Sequence, residues 1–489
     1  MEEISREYYL AGAGLKPTAE LQAVYERHAP TVGPEALAFV RTRLTGSAPG
    51  SEEHRQARML LEWLAELQSS RELAPLEERE IAWERSTVVR LDDTRALEYH
   101  QAIITIANTT DRRERLRIDR AVNTMVGAEL APMRRERFER ERQIIESLDL
   151  ADGYNATFEA LSGVSLRELG AQCEAFLEET DALWDDTYPR FVRTSLRIEP
   201  RDATRADAAA LFRRREFDEQ FPASSMEWEI RRQMREMGID PIAGGRVLYD
   251  TDDRVGKQSR AFCAPVRAPD EVYLVLRPHG GQSDWSTFLH ELGHALHFGY
   301  MNRELPFEYR WLGDNSITEG YAMLFDHLMH DVGWLKRYTP LAANKLDTFL
   351  RSTAFEELHF LRRYASKLLY ELDLHGGLIP FDKLPEVYVE RLTRATTFRY
   401  DSSQAFVDVD PRYYVARYLR AWQLQALLTE TLMQRYNEDW WRNPKAGPWI
   451  IAELFSEGQR DLAPELAKRV SSHPLGFGPL VRSIEKALS

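Results

Sequence analysis

Apolar residues recur at steps of three and four along most of this 489-residue chain, and that period commits it mainly to helices. Residues 165–191 are the clearest case. Ser165 and Glu168 stand at capping-box spacing, where a hydroxyl and a carboxylate each satisfy an orphan backbone N–H. Leu166, Leu169, Cys173, Phe176, Leu177 and Trp184 follow the helical step, and Pro189 is expected to end it. Residues 55–68, 133–148 and 344–372 read as further amphipathic helices. The charge run at 134–142, RRERFERER, reads as a solvated face laced by i,i+4 pairs. No repeat of 30–45 residues stands out, so a helical solenoid is not expected.

One stretch departs from the helical period. Residues 259–278 hold Pro265, Pro269 and the β-rich run Val272–Leu276, which reads as a hairpin or small sheet. Gly280 and Gly281 follow, then a cap-like Ser283–Asp284, then a helix. A polar, irregular segment over 200–225 marks the expected division. Residues 1–225 form a helical N-terminal lobe. Residues 226–489 are expected to form a second region with a C-terminal helical lobe, the two lobes interleaved.

Charge narrows the function. Lys plus Arg is 64 and Asp plus Glu is 78, a net charge of −14. Nucleic-acid affinity comes largely from basic groups facing phosphates, so no nucleic-acid partner is expected. Cys173 and Cys263 form no CxxC pair, which points to free thiols in a reducing compartment. The first twenty residues are acidic and lack an apolar core, and no run of 18 apolar residues occurs. A soluble cytoplasmic protein without a membrane partner is therefore expected.

The helix after Asp284 contains His290-Glu291-Leu292-Gly293-His294. Four residues make a little over one helical turn, so both histidines project from one face and can chelate one zinc ion. Glu291 is rotated by about 100° from His290, which lets it reach a water at the metal. Phe288, Leu289, Leu292, Ala295, Leu296 and Phe298 make the helix apolar on most sides. Unpaired ionisable groups are costly there, which favours a ligand role over a surface one.

A third protein ligand is required. The extended HExxHxxGxxH pattern fails, because His297 and Tyr300 stand where glycine and histidine belong. His297 lies about 10 Å along the axis from His290, too far to share its ion, and reads as a core or supporting residue. Glu319, 25 residues after His294 and near the start of the next helix, is the better candidate. Its spacing from Ser316 also suits a capping box. Asp326, seven residues on, is placed to orient a ligand histidine.

Tyr414, Tyr418 and Trp422 share one helix face near the C-terminus. Such a stripe reads either as aromatic core or as hydroxyl donors to a tetrahedral oxyanion. A calcium-loop reading of Asp250–Gly256 fails on the position of its glycine.

Together these residues resemble the thimet oligopeptidase and oligoendopeptidase F family of HExxH zinc metallopeptidases, the gluzincins. More distantly they resemble angiotensin-converting enzyme and carboxypeptidase Taq. The likeness is most specific over about 250–330, through Gly256-Lys257, Arg260-Ala261-Phe262-Cys263 and Thr287–His297. It implies a two-lobed helical body around a deep channel, with a small sheet beside the HExxH helix. It further implies one zinc ion per chain held by His290, His294 and Glu319, Glu291 as general base, and short peptides as substrates. Tyr418 matches a substrate-binding tyrosine. Val415 stands where the family has another, with Tyr414 one residue away. The preceding loop offers Asp408 and Asp410 in place of a histidine, and the glutamate segment lacks a proline-serine pair.

The strand near 271–276 is expected to pair with an extended peptide. Two other readings remain. One is a metallocarboxypeptidase or peptidyl-dipeptidase, with Arg417 as the cation that holds a substrate carboxylate. The other is a catalytically idle zinc protein that binds peptides, although a purely structural site needs no Glu291.

Overall fold

The computed structural model describes residues 1–471 and 473–489. The chain divides into two compact units. One comprises Met1–Leu64, Arg215–Arg351 and Arg417–Ser483. The other comprises Ala65–Arg214, Ser352–Ala416 and Ile484–Ser489. Each unit draws on sequence from both sides of residue 225, so no single cut separates them.

In chain order the elements used below are as follows. Helix α1 is Glu2–Gly12 and helix α2 is Glu52–Ser86. Strands β1 (Val88–Arg90) and β2 (Ala96–Glu98) form an antiparallel ladder. Helices α3 (Ala131–Ser147), α4 (Leu166–Glu179) and α5 (Asp181–Phe191) follow. Then come β3 (Val247–Asp250), β4 (Phe262–Arg267) and β5 (Glu271–Val275), helix α6 (Gln282–Tyr300) and helix α7 (Asn315–Asp326). Helices α8 (Ala343–Gly376) and α9 (Tyr414–Tyr436) are long. Shorter helices and turns connect them, and the fold is mainly α as the periodicity predicts. No helix among the described residues is long and apolar enough to cross a membrane.

The Ser165 cap forms as expected, its hydroxyl accepting from the Glu168 N–H at 3.3 Å. The single helix expected over 165–191 does not. It breaks at Thr180, and Pro189 sits inside α5 rather than ending it. Arg362 of α8 explains the break. Its guanidinium donates to the Leu177 carbonyl at 2.9 Å, an acceptor that a continuous helix would keep, and to the Thr180 hydroxyl at 2.6 Å. The charge run in α3 is also only partly solvated. Arg137 and Glu141 are buried, and Arg137 reaches Glu80 of α2 at 3.1 Å.

The three-stranded sheet has the order β3-β5-β4, with β3 parallel and β4 antiparallel to β5. The β4–β5 hairpin is the one its sequence predicts. The short β3 was not legible, being four residues without alternation. Because β5 is central, both of its edges are already paired, which excludes the expected addition of a peptide to 271–276. The free strand edge next to the hairpin belongs to β4. There Pro265, which has no N–H to donate, is tolerated as edge residues are.

The core of the first unit forms around α6. Trp285, Phe288, Leu289, Leu292, Ala295 and Leu296 have no exposed surface, and Val272 and Leu274 of β5 share their cluster. Such burial leaves one strip of α6 for polar groups.

Candidate metal centre

His290 and His294 occupy that strip, half-buried, with ring centroids 4.9 Å apart. Opposite them runs α7. The two helices approach closely because Gly293 faces α7. A Cβ at that position would lie 2.6 Å from the Ala322 Cα and 2.9 Å from the Tyr321 carbonyl oxygen. On the other side of α7, Gly320 meets the Leu424 side chain of α9 in the same way. Glycine therefore sets both helix spacings around Glu319.

Glu319 is 7% exposed. Its Oε2 lies 3.4 Å from the His290 Nε2 and 3.8 Å from the His294 Nε2. The ligand atoms of the three residues all fall within 4.8 Å of one another. The competing capping-box reading fails. Asp314 is the N-cap of α7, accepting from the Ser316 N–H at 2.9 Å and from the Ala463 N–H at 3.0 Å.

The opposite nitrogen of each imidazole is engaged. Asp326 Oδ2 lies 2.8 Å from the His290 Nδ1, and Thr318 Oγ1 lies 2.8 Å from the His294 Nδ1. A carboxylate on Nδ1 holds the proton there and turns the Nε2 lone pair inward. Asp326 also lies 2.5 Å from the His327 Nδ1. The orienting role expected for Asp326 is thus matched by its geometry. Thr318 was missed, since a threonine beside a glutamate carries no metal signal in sequence. Two imidazole nitrogens and one carboxylate oxygen are a donor set of catalytic zinc sites, so these residues fit that ion.

Electrostatics reflects the same arrangement. Burial opposes charge on His290, yet its bonds to Asp326 and Glu319 outweigh burial and raise its pKa to about 10. His294, with burial dominant, falls to about 4. Burial pushes the Glu291 carboxyl above its usual range, while charge on neighbouring His290 and, less, the Cys263 backbone N–H in β4 partly offset this. His297 is fully buried among Phe298, Tyr321 and Phe455, and burial lowers its pKa to about 3. It is a neutral core residue.

On α9, Val415, Ala416, Arg417, Leu419 and Arg420 are buried, whereas Tyr414, Tyr418 and Trp422 are only half-buried. The aromatic stripe is thus the accessible face, against the core reading of its spacing. Val415 has no exposed surface. Arg417, the cation expected to meet a substrate carboxylate, is 5% exposed and bonded to Glu62 at 2.6 Å. Asp408 is held by Arg205, Arg363 and Tyr388, and Asp410 by Lys367. Asp408 lies in the second unit's interior, and Asp410 at its surface. Asp250 binds Arg254 and Lys257 rather than forming a cation loop.

No family model matches the chain. It is similar to the chromosomal oligoendopeptidase F of Lactococcus lactis subsp. cremoris, 25% identical over 145 residues. That match spans 29% of this chain and 23% of the relative. Among solved structures, one assigned as an oligoendopeptidase F from Bacillus anthracis str. Ames has a TM-score of 0.68 at 13% identity. It covers 95% of this chain and 84% of that one. The M32 carboxypeptidase of Deinococcus radiodurans R1 has a TM-score of 0.61 at 12% identity, covering 100% of this chain and 96% of that one. The chain therefore has the helical fold of the oligoendopeptidase F and M32 carboxypeptidase structures.

Proposed function

We propose that this protein is a zinc-dependent peptidase that hydrolyses short oligopeptides. The observation that carries the reading is the convergence of His290, His294 and Glu319 beside Glu291, on a helix otherwise committed to the core. The similarity to oligoendopeptidase F supports the same reaction class.

His290, His294 and Glu319 hold the ion, one per chain. Bound zinc supplies a Lewis acid that polarises the scissile carbonyl and lowers the pKa of a water. Glu291 takes the proton from the attacking water and passes it to the leaving amine. Its burial raises its proton affinity, which suits a group that must both accept and return a proton. Tyr418, with Tyr414 one turn earlier, donates a hydroxyl to the developing oxyanion. Leu424 packs on Gly320, next to Glu319, and Tyr418 lies about 9 Å from Leu424 along the same helix. An extended peptide adds to the open edge of β4, the strand that already contacts Glu291.

A second reading, trimming of peptide C-termini, is favoured by the likeness to the M32 carboxypeptidase over the whole chain. An idle zinc-binding protein is disfavoured by Glu291, which a structural site does not need.

The test is metal content by mass spectrometry together with digestion of a mixed peptide library, for wild type and Glu291→Gln. Wild type should hold one zinc and cut peptides, and Glu291→Gln should hold zinc and cut almost none. Zinc without cleavage in wild type defeats the peptidase reading. Cut positions separate internal cleavage from C-terminal trimming.

A further inference from the structure

The loop that joins β3 to β4 is anchored at two adjacent residues. Lys257 is buried, and its Nζ donates to the carbonyls of Asp250 (2.7 Å), Asp252 (2.8 Å) and Leu276 (3.0 Å) and to Asp250 Oδ1 (2.9 Å). The Gln258 N–H donates to the Gly12 carbonyl at 2.8 Å. The Phe262 ring closes over Gly12 from the other side. Between these anchors Ser259 and Arg260 stand exposed. A backbone fixed before and after it presents the Arg260 guanidinium from a rigid base.

Among the described residues no carboxylate is hydrogen-bonded to, or ion-paired with, Arg260. Other arginines of the same unit are spent: Arg254 on Asp250, Arg277 on Asp253 and Arg417 on Glu62. Yet Arg260 lies within electrostatic reach of Glu291. The open-edged strand β4 begins two residues later, and Cys263, the residue bonded to Glu291, is three residues on. A cation held free beside a site that already contains Glu291, Glu319 and Asp326 offsets a field that repels anionic peptides. Its planar fork suits a carboxylate.

We propose that Arg260 binds a carboxylate of the peptide substrate, so that this site selects peptides bearing an anionic group close to the cleaved bond. The proposal rests on the peptidase reading above and names the cation that Arg417 was expected to supply. The carboxylate comes either from the peptide C-terminus or from an aspartate or glutamate side chain.

The experiment uses the zinc-loaded protein and three peptides of one sequence: a free C-terminal acid, an amidated peptide with one glutamate, and an amidated peptide with glutamine in its place. Wild type, Arg260→Ala and Arg260→Lys are compared by kcat/KM. The anionic-to-neutral ratio should fall about tenfold in Arg260→Ala, the size of one charge-assisted hydrogen bond, and return only in part in Arg260→Lys, which restores the charge but not the fork. A fall only for the free acid assigns the terminal carboxylate; a fall only for the glutamate peptide assigns the side chain. An unchanged ratio in Arg260→Ala overturns the proposal. Calorimetric binding of the same peptides in a Glu291→Gln background reads the ratio without cleavage. If wild type cuts nothing, that binding ratio still decides on Arg260 while the peptidase reading fails separately.

Discussion

Substituting Gly293 by alanine tests whether helix spacing sets the metal centre. The added Cβ would stand 2.6 Å from the Ala322 Cα, whereas ordinary contact begins near 3.4 Å. The obstacle is backbone, so α6 and α7 must separate by about 0.8 Å or more. Glu319 rides on α7, while His290 and His294 ride on α6. Metal–ligand distances tolerate about 0.2 Å, so the separation exceeds the tolerance about fourfold. Overpacking costs about 1–3 kcal/mol, and the better helix propensity of alanine returns about 1 kcal/mol. Gly293→Ala should therefore lose only about 1 kcal/mol in urea unfolding of the metal-free protein, but at least tenfold in zinc affinity measured by chelator competition. Gly320→Ala is the control, since its new Cβ meets only the Leu424 side chain. It should lose stability with a smaller effect on zinc. Zinc affinity within twofold of wild type in Gly293→Ala would refute the argument that this glycine sets the ligand geometry.

Three further outcomes are expected. Asp326→Asn should weaken zinc about 10- to 100-fold with little loss of fold, because it releases the His290 Nδ1 from its carboxylate; an unchanged affinity by the same competition would remove Asp326 from the site. His297 has a folded pKa near 3, so between its ordinary value and that point the unfolded chain binds the extra proton, and stability falls as pH drops. From pH 6.5 to 5 this contributes about 2 kcal/mol, and His297→Leu should flatten the pH dependence of the urea midpoint by that amount. Arg362→Met should destabilise the second unit by about 3 kcal/mol, since its guanidinium caps the end of α4 and bonds the Ala395 carbonyl from a buried position; a thermal midpoint equal to wild type would contradict this.

The candidate metal ligands on α6 were legible because their signal is local. His290, Glu291 and His294 lie within five residues, and helix geometry alone projects them together. Glu319 was legible only as one of two readings. The capping alternative is removed by Asp314, whose carboxylate takes the cap that Ser316 and Glu319 would have made. Thr318, the Cys263 N–H and the free edge of β4 carry no sequence signature, since each acts through a neighbour distant in the chain. The same holds for failed expectations. Thr180 breaks a helix because of Arg362, and Arg417 is lost to Glu62, partners 182 and 355 residues away.

By itself, then, the sequence determined the helical class, the β4–β5 hairpin and the paired histidines with their glutamate, all set by periodicity or spacing over a few residues. Only the tertiary structure decided the spacing of α6 and α7, the partner of each imidazole, the strand edge left open and the arginine left unpaired. Those depend on which side chains arrive from elsewhere to claim a hydrogen bond or fill a gap. Local pattern does not encode that competition, because its outcome is fixed only when the whole core packs.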